Sequence, residues 1–145
     1  MPLLTTTAEV HWSGSRRDQQ ALARRHDWSQ LSRLDQLWAE LAARYGDAVA
    51  LEAPHANPPE QFSYRELSER IDTAAAGFSA LGLRAGEVVA LFAENGPRWL
   101  IADQAILRCG AADAVRGSAA PPQELRYIVD DAAAVGLVVE STALL

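Results

Sequence analysis

Apolar residues recur along this chain at two periods, and the switches between them divide it into elements. Over residues 29–47, Leu31, Leu34, Leu37, Trp38, Leu41 and Tyr45 fall at helical spacing and form one stripe. Ser29 or Ser32 is placed to cap this helix, and Gly46 to close it. DAVALEA, residues 47–53, then predicts a short strand. HANPPEQ follows as a surface loop, marked by two prolines and an Asn, and Phe62 ends a second extended piece. Ser63 and Glu66 stand at capping-box spacing before Leu67, Ile71, Ala74, Phe78 and Leu81, which repeat at four and three residues and predict a buried helix face. Gly82 sits where a left-handed cap is wanted.

The pattern then tightens. VVALFA, residues 88–93, is continuously apolar, as expected of a strand covered on both faces. Asn95, Gly96 and Pro97 mark a boundary, since proline suits the first turn of a helix, and Asn95 is placed to cap it. The helix over residues 98–109 is expected to bury Trp99, Leu100, Ile101 and Ile106, and Gly110 to end it. AADAV predicts a third strand of the series. Pro121 and Pro122 open a helix with Leu125, Ile128 and Val129 facing inward, and GLVVE, residues 136–140, predicts a further buried strand. Strands separated by helices imply right-handed crossovers, hence an α/β fold with a mostly parallel sheet and flanking helices. Residues 1–28 are a polar lead with a helix expected over 18–25, and residues 29–145 form the folded portion. Trp12 and Trp28 are read as docking onto the body or onto sequence not present here, with a membrane-surface contact as the alternative.

Composition narrows the function classes. The chain has 145 residues, 49% of them hydrophobic, enough for a real core. A net charge of −6 argues against a nucleic-acid partner, which needs a basic face. All thirteen basic side chains are arginine. Cys109 is the one cysteine, so no internal disulfide can form, which is consistent with a reducing, cytoplasmic setting. No apolar run is long enough to span a bilayer, and residues 1–17 are not expected to act as a secretory signal, since they lack a charged start followed by an apolar block.

Tyr64, Arg65, Glu66 and Leu67 after a strand, the turn at residues 82–87 and then VVALFAENGPRW together resemble the adenylate-forming acyl-activating (AMP-binding) enzymes over residues 30–140. The stretch FAENGPRWLIADQAILRCGAADAVRGS is most similar to the cyanobacterial and plastid branch that activates long-chain fatty acids, and DAVRGS, residues 113–118, carries that narrower likeness. The resemblance implies an ATP- and Mg²⁺-dependent ligase. Such an enzyme joins a fatty acid to adenylate and then passes the acyl group to coenzyme A or acyl carrier protein. It also implies that this chain is the N-terminal portion of a larger adenylate-forming domain, truncated before the phosphate loop. The chain has no G-x-x-x-x-G-K and no lysine, so the 145-residue piece is expected to be inactive alone. A non-catalytic binding module derived from the same domain is the alternative, and peripheral contact with a membrane is compatible with either.

Single residues offer less. His11, His26 and His55 lack metal-ligand spacing. Asp130 and Asp131 are adjacent on a helix and point apart. Ser118 and Ser141 have no positioned histidine, and Cys109 at a helix end reads as a small hydrophobe. Arg116 is the candidate for tuning substrate or partner, because it stands at a strand's carboxyl end, where open α/β sheets bind ligands. Gly117 and Ser118 beside it could turn backbone N–H groups toward an anion. The competing role for Arg116 is a structural pair with a helix carboxylate.

Overall fold

The computed structural model describes residues 31–144. The polar lead, its expected helix, Ser29, Trp12 and Trp28 lie outside the described residues. Everything that follows is organised around strand β3 (Val88–Phe92), in which Val89, Ala90, Leu91 and Phe92 are all buried. β4 (Ala112–Arg116) pairs parallel to it on one side and β5 (Gly136–Val139) on the other, giving the order β4-β3-β5. This is the α/β parallel sheet expected from the sequence.

Side chains alternate across a strand, so β3 serves two cores. Val89 packs with Ile106, Ala111, Phe78 and Val138 on one face. Ala90 and Phe92 pack with Leu125, Ile128, Val129 and Val139 on the other. The helix after β3, Pro97–Arg108, therefore covers the first face, and the helix after β4, Pro122–Asp131, covers the second. Each fully buried large side chain contributes roughly 1.5–3 kcal/mol relative to exposure. β5 departs from expectation. With no further strand beyond it among the described residues, Leu137 is 39% exposed and Val135 just before it 60%.

Helices are numbered in chain order: α1 (Leu37–Tyr45), α2 (Tyr64–Ala80), α3 (Pro97–Arg108) and α4 (Pro122–Asp131). α2 begins with the predicted capping box, in which Ser63 accepts from the Glu66 N–H and the Glu66 carboxylate accepts from the Ser63 N–H. Leu67 and Ile71 are buried as expected, but Ala75 takes the place given to Ala74, and Leu81 is exposed because the helix ends at Ala80. Gly82 adopts the expected positive φ of 100°. α3 starts at Pro97 behind Gly96, with no side-chain cap, so Asn95 does not fill the role expected of it. Within α3, Ala105 and Ile106 are buried, while Trp99, Leu100 and Ile101 are half-buried.

A separate antiparallel hairpin, β1 (Val49–Ala53) and β2 (Glu60–Ser63), precedes α2. The guanidinium of Arg70 lies 4.8 Å from the Phe62 ring centre and covers this hairpin's buried aromatic. α1 follows a short 3-10 turn, Leu34–Gln36. Ser32 does not cap it. Its N–H and hydroxyl both donate to the Gln36 side chain, and Leu34 stays exposed. Trp38, Tyr45 and Tyr64 stack in tilted pairs, with ring centres 6.5 and 5.0 Å apart.

Candidate functional site: the carboxyl edge of the sheet

β3 leads to a helix on one face, and β4, its neighbour, leads to a helix on the other. Their carboxyl ends therefore part around a crevice, the place where open α/β sheets hold ligands. Arg116 closes β4 beside Phe92 of β3, and Gly117 and Ser118 follow it. Glu94 and Asn95 follow β3, and Glu140 follows β5. The expected candidate and its neighbours therefore do meet at this edge.

Their hydrogen bonds decide what the edge can do. The Ser118 N–H and hydroxyl donate to Glu94 Oε1 at 3.0 and 2.9 Å. The Glu94 N–H donates to Glu140 Oε2 at 2.8 Å. The three loops are thus tied to one another through two carboxylates. Gly117 allows this closeness, because a Cβ there would lie 3.3 Å from Glu94 Oε1. Of the two residues expected to turn backbone N–H groups toward an external anion, Ser118 gives its N–H to the chain's own Glu94. A phosphate fits poorly here, since the Ser118 donors are taken by Glu94 and a second carboxylate, Glu140, stands beside it. No chemical step through ATP or Mg²⁺ is assigned to these residues.

Arg116 Nε sits 2.7 Å from Glu124 Oε1 in the first turn of α4. The hydrogen bond and then the charge of Glu124 raise the guanidinium's pKa above its ordinary value. The helix-carboxylate pair weighed in the sequence is present, and it ties the end of β4 to α4.

Beside the same edge, on the α3 face, lies a cleft of about 380 Å³ between the loop at residues 54–59 and the start of α3. Leu91, Val138 and Trp99 contribute apolar lining, with Glu60, Glu94, Glu140 and Arg98 also around it. It can take an apolar group, and it offers no histidine, cysteine or lysine as acid, base or nucleophile.

The other candidates stand apart. Asp130 faces Arg126 at 3.7 Å and Asp131 accepts from the Tyr127 hydroxyl at 3.2 Å, so the two carboxylates do not cooperate. Cys109 Sγ donates to the Ala75 carbonyl at 3.3 Å, across the α2–α3 contact. Ser141 opens the short 3-10 turn Thr142–Leu144 through its carbonyl. His55 lies in the hairpin loop, while His11 and His26 lie outside the described residues. Among the described residues no three acidic, histidine or cysteine side chains are grouped to hold a metal ion, and no helix is long and apolar enough to cross a membrane.

Sequence reasoning missed Asp113. It lies inside β4 opposite Val89, with its Oδ2 buried and without a hydrogen-bond partner. Burial, then a hydrogen bond to Asp103 and that group's charge, push its carboxyl up to about 6. The signal was legible, because an acid in the middle of an apolar strand needs an explanation.

Comparison with known proteins follows the same lines. A chloroplastic long-chain-fatty-acid–[acyl-carrier-protein] ligase of Arabidopsis thaliana is 41% identical over 105 residues, 72% of this chain and 14% of the relative's length. A salicyl-AMP ligase / salicyl-S-ArCP synthetase of Mycobacterium tuberculosis is 34% identical over 111 residues, 76% of this chain and 20% of that protein. The solved N-terminal subdomain of Klebsiella oxytoca NpsA in complex with 3-hydroxyanthranilyl-AMSN superposes with a TM-score of 0.71 at 26% identity, covering 78% of this chain and 28% of that one. The chain therefore spans less than a third of each of these chains. The model of the AMP-binding enzyme family matches residues 38–145, most of the chain, and the chain belongs to that family.

Proposed function

We propose that this chain is the leading part of an ATP-dependent ligase that joins a long-chain fatty acid to the thiol of acyl carrier protein or coenzyme A. The observation that carries the reading is the 41% identity to the plant acyl-carrier-protein ligase, over 105 residues of a chain in the AMP-binding family. The geometry supports a division of labour within it. The loops at the sheet's carboxyl edge are tied together by Glu94 and Glu140, so this part supplies a set platform. ATP and Mg²⁺ would be handled by other parts of such an enzyme. On this reading Arg116 acts on acyl substrate or carrier through the loop it holds to α4, and the protein works in the cytoplasm, with contact to a membrane surface where the fatty acid is drawn from one.

The test is a chimera in which the matching segment of the plant ligase is replaced by this chain. Fatty-acid-dependent exchange of pyrophosphate into ATP, together with acyl transfer to acyl carrier protein, is expected at rates comparable to the parent. A folded chimera that exchanges with salicylate but not with fatty acid would overturn the substrate class. A folded chimera active with neither would favour the binding module. The 145-residue chain assayed alone is expected to remain at background.

A further inference from the structure

The parallel sheet has two outer edges, and they are unlike. β4, on one side, carries Asp113 and Arg116 among its five residues. β5, on the other, reads Gly-Leu-Val-Val, with neither a charge nor a proline to discourage pairing. The Val135 N–H donates to the Val88 carbonyl at 2.8 Å, so the odd-numbered residues turn their backbone groups toward β3. The N–H and carbonyl groups of Gly136 and Val138 therefore point outward along the open edge. Beyond the strand, the Glu140 N–H returns to the Phe92 carbonyl at 3.3 Å, which ends the open stretch.

Grooves flank this edge on both faces. One, of about 240 Å³, runs beside Phe78, Leu83 and Val89, with the exposed Leu81 also lining it. The other, of about 500 Å³, runs beside Phe92, Leu125 and Val129. Leu137 borders both. Val89 and Phe92 belong to the two cores of the sheet, so both cores reach the surface at this edge.

We propose that the outer edge of β5 is a self-pairing surface, on which a second copy of this chain adds its own β5 antiparallel about a two-fold axis at Leu137. Such an axis, normal to the sheet, keeps each face on its own side, and an antiparallel pair sets outward groups opposite outward groups. Centring on Leu137 meets both conditions. Gly136 of each copy stands opposite Val138 of the other, and each of these pairs exchanges both its N–H···O bonds. Val138 packs toward the Val89 core, on the α3 face. On that face it covers Gly136 of the second copy, where nothing lies within 4 Å of the position a Cβ would take. On the α4 face Leu137 meets Leu137, and the exposed Val135 meets Val139. The next pair sets Glu140 opposite Ala134, so no like charges are opposed. The edge is thus complementary to itself, which favours a copy over an unrelated partner. Each chain carries a net charge of −6, so the copies repel at a distance and pair more tightly as salt screens that repulsion.

The test is sedimentation equilibrium of the whole chain over roughly a hundredfold range of concentration, with amide hydrogen exchange on the same samples. A monomer–dimer equilibrium is expected, tighter at high salt. The Gly136 and Val138 amides should gain protection with concentration, and more than the Leu137 amide, which already faces β3. Val138→Pro removes an outward donor and no bond to β3, and should abolish the dimer. Leu137→Lys and Leu137→Glu each set like charges at the axis, so each should be monomeric alone and the two should pair when mixed. A wild type that stays monomeric throughout would overturn the proposal. So would a dimer in which Gly136 and Val138 exchange unchanged, or Leu137→Lys and Leu137→Glu that do not pair on mixing. If Val138→Pro does not fold, the wild-type exchange and the mixed pair decide. None of these outcomes depends on which acid the ligase activates.

Discussion

Glu94 and Asp113 are carboxylates in adjoining regions of the same small sheet, and their surroundings could hardly differ more. Glu94, at the carboxyl edge, receives the N–H and hydroxyl of Ser118 and fastens two loops. Asp113, within β4, has a buried oxygen with no donor and faces a second acid. Donors stabilise the charged form, whereas burial beside a like charge disfavours it. One carboxylate is therefore a standing tie, and the other holds its proton more tightly than a free carboxyl. The lesson is that ligand-ready geometry at a sheet edge says little until the destination of each donor is known.

The most severe way to break the comparison is to remove the core beneath each region. Phe92 lies under the carboxyl edge and Ile106 one helical turn beyond Asp103, and both are essentially fully buried. Phe92→Ala should cost about 3–5 kcal/mol and Ile106→Ala about 2–5 kcal/mol in urea unfolding. The regions separate if Ile106→Ala moves the Asp113 titration midpoint while Phe92→Ala instead speeds exchange of the Ser118 amide. A common response in both variants would show that the two carboxylates belong to one cooperative unit.

Next in size is Glu94→Ala, which leaves both Ser118 donors to water. The expected loss is about 1–2 kcal/mol, near the lower end for charge-assisted bonds because the group is exposed. Hydrogen exchange at Ser118 should accelerate while the Trp38 indole is unaffected. Unchanged Ser118 protection would mean that the loop is held by its backbone alone.

The pH dependence is smaller and has a definite sign. Asp113 has a folded pKa raised from 3.8 to about 6, so the folded state binds the proton more tightly than the unfolded chain. Stability contributed by this group is full below about 4 and is lost as pH rises through about 6. The displacement corresponds to about 3 kcal/mol at full weight, reduced by solvent screening of a half-exposed group to about 1 kcal/mol. Urea midpoints at pH 5 and 7 should differ accordingly in the wild type relative to Asp113→Asn, with the wild type favoured by acid. A difference of opposite sign would place the proton elsewhere.

Arg116→Ala should have the smallest effect. The pair with Glu124 is solvent-exposed on both sides, and screening leaves such pairs little weight. A slight fall in melting temperature at low salt should disappear at high salt. In the chimera, measuring specific activity on the same preparation separates the roles. Lost acyl transfer with an unchanged melting temperature would show Arg116 tuning substrate or partner, and the reverse would leave it structural.

Much of the fold was legible because local rules and burial agreed. The VVALF run could be nothing but a covered strand, the Ser63–Glu66 box started α2 where expected, and Pro97 opened α3. The misreadings cluster where tertiary context overrode the local signal. Ser32 turned to Gln36 because a 3-10 turn shifted the start of α1, and Leu81 was expelled because α2 stopped one residue earlier. GLVVE reads as a buried strand by composition, yet β5 is half-covered because no strand flanks its outer side among the described residues.

The chain's sequence by itself determined the parallel α/β arrangement and the family. Periodicity, caps and prolines act over a few residues, and the run ending in DAVRGS carries the family likeness in its order alone. Tertiary structure alone decided the fate of each polar group. Glu94 and Ser118 are 24 residues apart, Glu94 and Glu140 are 46 apart, and Trp38 and Gln104 are 66 apart. No local rule pairs groups at such separations. Only folding brings donors to one carboxylate and leaves an oxygen of another without one, and that choice separates a fixed tie from a carboxyl that holds its proton more tightly.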